Sequence, residues 1–525
     1  MVRRCNPIDA PPGLTGMGRN TTTPGEAGTT GRTPGGAVRG RPGRVAGRLT
    51  GMALLLGVCA SVSPDAGVSV ARTYAALELG KDIVKASDQG IAPGAEARVE
   101  ALLRRPLTAD GAVQVALLRN RGLQAAFNGL GISEAQYVQA TLPPAPSVSI
   151  TRWGLGFNAE IERSVAASVL DLATLPARAE IAGQRFRADQ YNAANEVLKL
   201  AGEARRQFYR TVAANQAVAF LEQSLAGAES TSILTQQLGE TGALGKLEQA
   251  REHAFYSELG AQLAKARVQQ RAERERLTRL LGLWGREIDF RLPKGLPALP
   301  KRLVDGRGLE GETVRRRADV QAARFELQSL AGQFGLVQAT RFVSVFDLGF
   351  ANQYARSRTF EGGASPKVDK DSLNGFSADL TIPLYDFGTT AVQGAQESYL
   401  AAANRLAERA VNARSEVREA YQRYRGQYDI TRHYQTSVLP LRRTIQDQAL
   451  LQYSGMLLDV TTLIIDARAR ILSNIQAIEA QRDFWIAATD LKAATVGGGF
   501  SAETFGGEAA GGTPGESLAV GTPGG

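Results

Sequence analysis

The sequence predicts a mainly α chain with a small β part, built from a duplicated helix, strand, strand, helix, helix unit. Three observations carry that expectation. Two long stretches keep a helical texture with only isolated glycines, two pairs of short segments alternate apolar and polar residues, and fragments of one half recur in the other. "EARRQFY" at 203–209 answers "EVREAYQ" at 416–422, and Gly242 answers Gly455, both at an offset of 213. "VQAT" stands at 138–141 and again at 337–340, "GLQAAF" at 122–127 parallels "DVQAAR" at 319–324, and "LDLAT" at 170–174 parallels "YDFGT" at 385–389.

The chain begins with a basic leader over 1–58, where eight arginines face only Asp9 and Glu26. Most of the net charge of +9 therefore sits there, and no basic stripe interleaved with aromatics remains to suggest nucleic acid. The apolar run from Met52 to Val62 is too short to span a bilayer as a helix but fits the h-region of an export signal. Every later apolar run is broken by polar or charged residues, so a membrane crossing must use closed β-structure. Two cysteines and two histidines leave no material for a disulfide scaffold or zinc cage. There is no nucleophile elbow or phosphate loop, and His253 and His433 lack partners implied by spacing, so no enzyme and no cofactor are expected.

Residues 59–106 form an N-terminal segment with some helix near Glu96 to Arg104. The first repeat covers 107–291. It opens with an Ala-rich helix for which Thr108 is the N-cap, ended by Pro143, Pro144 and Pro146. Strands at about 146–171 follow, in which Ile161, Val165, Ala167 and Val169 alternate with Glu160, Glu162, Ser164 and Ser168, and Arg163 intrudes on the apolar row. A helical hairpin at about 175–283 starts near Pro176, turns at "LGETGALG" and resumes at Lys246. A Pro/Gly-rich linker spans 292–308.

The second repeat covers 309–496. One helix leads into strands within about 341–386, separated by a polar loop of about 357–373. Phe342, Phe346, Leu348, Phe350 and Tyr354 share one row, and Phe376, Ala378, Leu380, Ile382 and Leu384 share another. Such rows suit a lipid-facing barrel wall or a half-buried soluble sheet. A hairpin at about 389–495 has a kink at Pro440 and a turn at "YSGMLL", and the Gly-rich tail 497–525 reads as disordered. Glycine at 242 and 455 suits a helix C′ position with positive φ.

The duplicated order, together with "LTADGAVQVAL", "RGLQAAF", "LTIPLYDFG", "TGALGKLEQAR" and "RLTRLLGLWG", resembles the TolC family of outer-membrane efflux channels over about Leu107 to Thr495. "SEVREAY" (415–421) and "IEAQRDFW" (478–485) are similar to a branch associated with heavy-metal, especially copper, resistance. The resemblance implies a homotrimer whose four strands per chain close one outer-membrane β-barrel, continued by a long periplasmic α-helical barrel. It implies a passive exit duct served by an inner-membrane pump through a periplasmic adaptor (membrane fusion protein). The turns carrying Gly242 and Gly455 would be the adaptor-contacting tips, and Asp459 and Asp466 the candidate gate residues. "LGVC" at 56–59 reads as an approximate lipoprotein signal with Cys59 as the lipidated residue and N-terminal anchor. The competing reading is a periplasmic adaptor or coiled-coil interaction protein without a membrane barrel.

Overall fold

The computed structural model describes residues 62–63, 65–86, 93–154, 157–242, 244–306, 308–359, 367–455 and 457–499. All of these lie in the second of two structural units, which runs from Ala60 to Gly525. The leader, Cys59 and the tail beyond residue 499 lie outside the described residues.

The N-terminal segment is more ordered than its composition suggests. It holds α1 (Ser69–Tyr74), a π-helical turn at Ala75–Leu79 and α2 (Pro93–Leu103). Its apolar residues Val68, Ala71, Ala75 and Ile83 enter the largest core cluster with Val113, Leu117, Phe127, Val197 and Phe208. The expected opening helix is two helices, α3 (Ala109–Arg119) and α4 (Arg121–Thr141). Thr108 caps α3 by accepting from the Gly111 N–H at 3.0 Å. Asn120 breaks the helix with extended backbone (ψ 118°), and its side chain caps α4 by accepting from Leu123 N–H while donating to the Leu280 carbonyl. An N-cap oxygen that satisfies an orphan amide contributes about 1 kcal/mol, enough to fix the break here.

Strands β1 (Ser147–Trp153) and β2 (Ala159–Ser168) lead into α5 (Val169–Glu240), a helix of 72 residues and about 108 Å. It begins at Val169, not near Pro176, because the Ser168 hydroxyl accepts from Asp171 N–H and caps it. Pro176 lies inside the helix. Then α6 (Lys246–Leu281) returns along α5. The linker is a pinned strap: the Trp485 indole and Gln481 amide both donate to the Pro297 carbonyl, and Gln216 accepts from Leu296 N–H.

The second repeat follows the same order with α7 (Leu309–Arg316), α8 (Ala318–Thr340), β3 (Val345–Thr359), β4 (Lys367–Thr381), α9 (Thr389–His433), α10 (Leu439–Ser454) and α11 (Val460–Val496). Its opening helix is also split, at Arg317 (ψ 127°), in the place taken by Asn120 in the first repeat. Arg317 is buried and bonds to Asp319, Glu416 and the Ala494 carbonyl, so one side chain holds the break against α9 and α11. β3 starts four residues later than expected, whereas β4 starts at Lys367, inside the segment expected to be a polar loop, and ends at Thr381. The kink expected at Pro440 takes the form of a π-helical turn at Tyr434–Val438, just before the proline. A proline cannot donate to the carbonyl four residues back and its ring crowds it, and the wider turn relieves both problems.

The four strands form one antiparallel sheet in the order β1-β2-β3-β4, leaving β1 and β4 as open edges. Val148, Val165, Phe350 and Phe376 stand in one cross-strand row, so the apolar rows of all four strands share a face. Smaller cores hold the helices together. Phe484, fully buried, stacks on Tyr424 at 5.4 Å between α9 and α11, and Phe255, Leu259 and Leu263 of α6 pack on Val218 and Leu221 of α5.

Candidate functional site: the hairpin tips and the two-faced sheet

The α5/α6 turn places Gly242 just past the helix end with φ +75°, a conformation costly for a residue with a Cβ. Beyond it, Glu248 accepts from the Gly245 N–H at 2.9 Å and caps α6. The corresponding Gly455 behaves differently. Its φ is −83°, and its N–H reaches the Leu451 carbonyl at 3.0 Å, so the expectation of a positive φ there is wrong. The next turn bond, from Leu457 N–H to Gln452 O at 2.8 Å, closes this hairpin without a left-handed residue at 455.

Asp459 is the N-cap of α11. Its carboxylate accepts from the Thr462 N–H at 3.3 Å and from the Thr462 hydroxyl. The Thr462 hydroxyl bond is the main reason its carboxyl is held below the usual carboxylate range. This capping is local and serves the helix whether or not the residue also faces a pore. Arg251 donates to Thr461 at 3.3 Å and Arg468 pairs with Glu258 at 3.3 Å, so the starts of α6 and α11 are tied together.

Asp466 is not at the tip. It lines a cavity of about 380 Å³ shared by α5, α6, α10 and α11, with Phe220, Phe255, Leu450, Glu252 and Arg470. Sequence reading missed Glu252, which is 1% exposed and leaves Oε2 without a hydrogen-bond partner. Burial pushes its carboxyl up, against the opposing effects of Arg468 and His253. The available signal was its register: Glu252, Phe255, Leu259 and Leu263 recur at three- and four-residue spacing on one face of α6. His253 is exposed and bonds Ser232 at 2.9 Å through Nδ1.

In the sheet, strand register joins the polar rows of separate strands into one charge order. One face presents Ser149, Glu162, Glu160, Asp347, Gln353, Asp371 and Asp379, whereas the other presents the apolar row. Large apolar side chains stand exposed on that other face, among them Ile150 at 72% and Phe376 at 90%. Among the described residues no group of three or more His, Cys, Asp or Glu is placed to hold a metal ion, and no helix is long and apolar enough to cross a membrane.

The geometry has counterparts. Residues 311–495 match the family described as outer membrane efflux protein. Solved structures with the same fold include CusC, which forms a transmembrane channel (TM-score 0.60, 17% identity, 74% of this chain and 92% of that one). They also include the CmeC outer membrane channel of Campylobacter jejuni (TM-score 0.63, 15% identity, 83% and 93%) and the outer membrane protein VceC of Vibrio cholerae (0.61, 15%, 74% and 96%). No curated protein matches the chain. Residues 311–495 thus match an outer membrane efflux protein domain, and the described residues share the fold of solved outer-membrane channels.

Proposed function

We propose that the chain is the passive outer-membrane exit duct of a tripartite efflux system, acting as a homotrimer with a periplasmic adaptor and an inner-membrane pump. The observation that carries this reading is the sheet, which has two open edges and an apolar face exposed over all four strands. Open edges are not tolerated in lipid, and spanning barrels need roughly eight strands or more. Three chains supplying four strands each remove every edge, with the apolar rows outward and the acidic face lining the lumen. Helices of the length of α5 then extend the conduit about 100 Å into the periplasm. The chain performs no chemistry on its cargo, which diffuses while the pump supplies the work and most of the selectivity.

The turns at Gly242 and Gly455 are the adaptor-facing tips, with Asp459 and Asp466 as gate candidates. Cys59 is the lipidated N-terminus, a tether at the periplasmic surface. Heavy-metal ions are the cargo class added by the resemblance at 415–421 and 478–485.

The decisive experiment is membrane fractionation followed by gel electrophoresis with and without heating. A heat-labile trimer in the outer membrane is expected, and a soluble periplasmic monomer overturns the duct. Cys59→Ser should abolish acyl labelling and leave the heat-labile trimer in place; persistent labelling removes the lipid anchor from the proposal.

A further inference from the structure

The outward face of the sheet changes character along its strands. Near the helices it is apolar, with Ala167, Leu348 and Ala378 in one cross-strand row and Val148, Val165, Phe350 and Phe376 in the next. Farther from the helices the same face carries Arg163 and Arg152, then Arg356 and Lys370, then Arg358. It holds no acid. Glu160, Glu162, Asp347, Asp369, Asp371 and Asp379 all occupy the opposite face, where Lys367 pairs with Asp369 at 3.8 Å. Side chains on opposite faces point apart, so these acids cannot neutralise the outward cations across the sheet.

The cations are also arranged against their own repulsion. Arg356 and Lys370 are directly opposite on β3 and β4, and Arg152 and Arg163 are diagonal neighbours on β1 and β2. Like charges in such positions destabilise a sheet unless an anion lies between them. Among the described residues none of the four has an ion pair, and Arg356 Nε has no hydrogen-bond partner. Arg356 and Arg358 instead lie 5.5 and 4.8 Å from the centre of the Phe157 ring, which steadies them on this face.

We propose that this belt binds a bisphosphorylated glycolipid headgroup of the outer leaflet, one phosphate monoester between Arg356 and Lys370 and the other between Arg152 and Arg163. The inference rests on the barrel reading, which turns this face toward lipid. The strand rise and spacing put the two cation pairs roughly 14 Å apart, a span suited to two phosphates on one disaccharide. Arginine forks match phosphate oxygens bidentately, and a phosphate monoester supplies the charge of nearly −2 that two adjacent cations require. A basic belt beyond an apolar band also fits the headgroup level, where cations on a barrel's lipid face cost least.

The test uses the full-length protein reconstituted in phosphatidylcholine vesicles containing diphosphoryl lipid A, or the same glycolipid stripped of phosphate. The readout is the half-life of the heat-labile trimer at a fixed temperature. About a tenfold longer half-life with the phosphorylated lipid is expected, the factor given by one net charge-assisted hydrogen bond. The Arg356→Gln/Lys370→Gln protein should lose that difference, while Asp369→Asn/Asp371→Asn, on the opposite face, should keep it. Equal half-lives of the unmodified trimer in the two lipids, or full phosphate dependence in the Gln variant, overturn the lipid site and leave the barrel standing. Absence of a trimer in every vesicle overturns the barrel reading and the lipid site with it.

Discussion

The two helical hairpins descend from one repeated pattern and solve the same geometric problem differently. In the first, α5 runs 72 residues without interruption and its tip needs a left-handed glycine. In the second, the equivalent rod passes through a π-helical turn before Pro440, and its tip closes with ordinary backbone at Gly455. The difference teaches that the two repeats share the order and direction of their elements but not the regularity of their helices. The first rod is α-helical throughout, and the second passes through a π-helical joint at Tyr434–Val438 without leaving helical backbone. The two are locked together far from the tips by Arg206 of α5 and Asp490 of α11, a pair 2.9 Å apart and almost fully buried.

Removing that lock has the largest expected effect on the comparison. Asp490→Ala leaves Arg206 buried without its partner and should cost about 3–5 kcal/mol. Denaturant unfolding of the purified protein measures it, and a loss below about 1 kcal/mol would show that this buried pair is not what holds the two hairpins together. Next, Pro440→Ala restores a backbone donor and should convert the joint into continuous α-helix, with a gain of up to about 3 kcal/mol. Slower amide exchange over 434–442 is the expected signature; unchanged exchange would assign the π turn to packing against α11 and not to proline.

The buried Glu252 sets a pH dependence in the cavity between the hairpins. Its folded carboxyl pKa is raised, so the folded state favours the protonated form. Stability is then lost as pH rises from the unfolded pKa through the folded one and recovered below. Glu252→Gln should therefore stabilise at neutral pH by about 1 kcal/mol, with the gain disappearing in acid. A pH-independent effect would point to shape and not charge. The smallest effect separates the tips: Gly242→Ala should cost about 1 kcal/mol for its positive φ, whereas Gly455→Ala should stay within a few tenths. Equal costs at both positions would remove the asymmetry.

The mismatches between sequence expectation and structure have two causes, one local and one long-range. The Ser168 cap was readable in principle, yet Pro176 was the stronger local mark and drew the expected helix start seven residues late. The splits at Asn120 and Arg317 leave little trace in hydrophobic periodicity, since each depends on distant partners, Leu280 for one and Glu416 and Ala494 for the other. For the candidate site, the turns and the acidic residues after them were legible, but not that Asp459 caps its own helix or that Asp466 faces a cavity containing Glu252.

By itself the sequence determined the duplicated order, the long helices, the strand pairs and the alternation that makes the sheet two-faced. These follow from periodicity and turn chemistry, which act over a few residues. Only the tertiary structure decided that the four apolar rows align on one face, that the acids gather on the other, and that cations meet across β3 and β4 and across β1 and β2. A shift of one residue in strand register turns a whole row over, and register between β2 and β3 joins residues nearly two hundred positions apart.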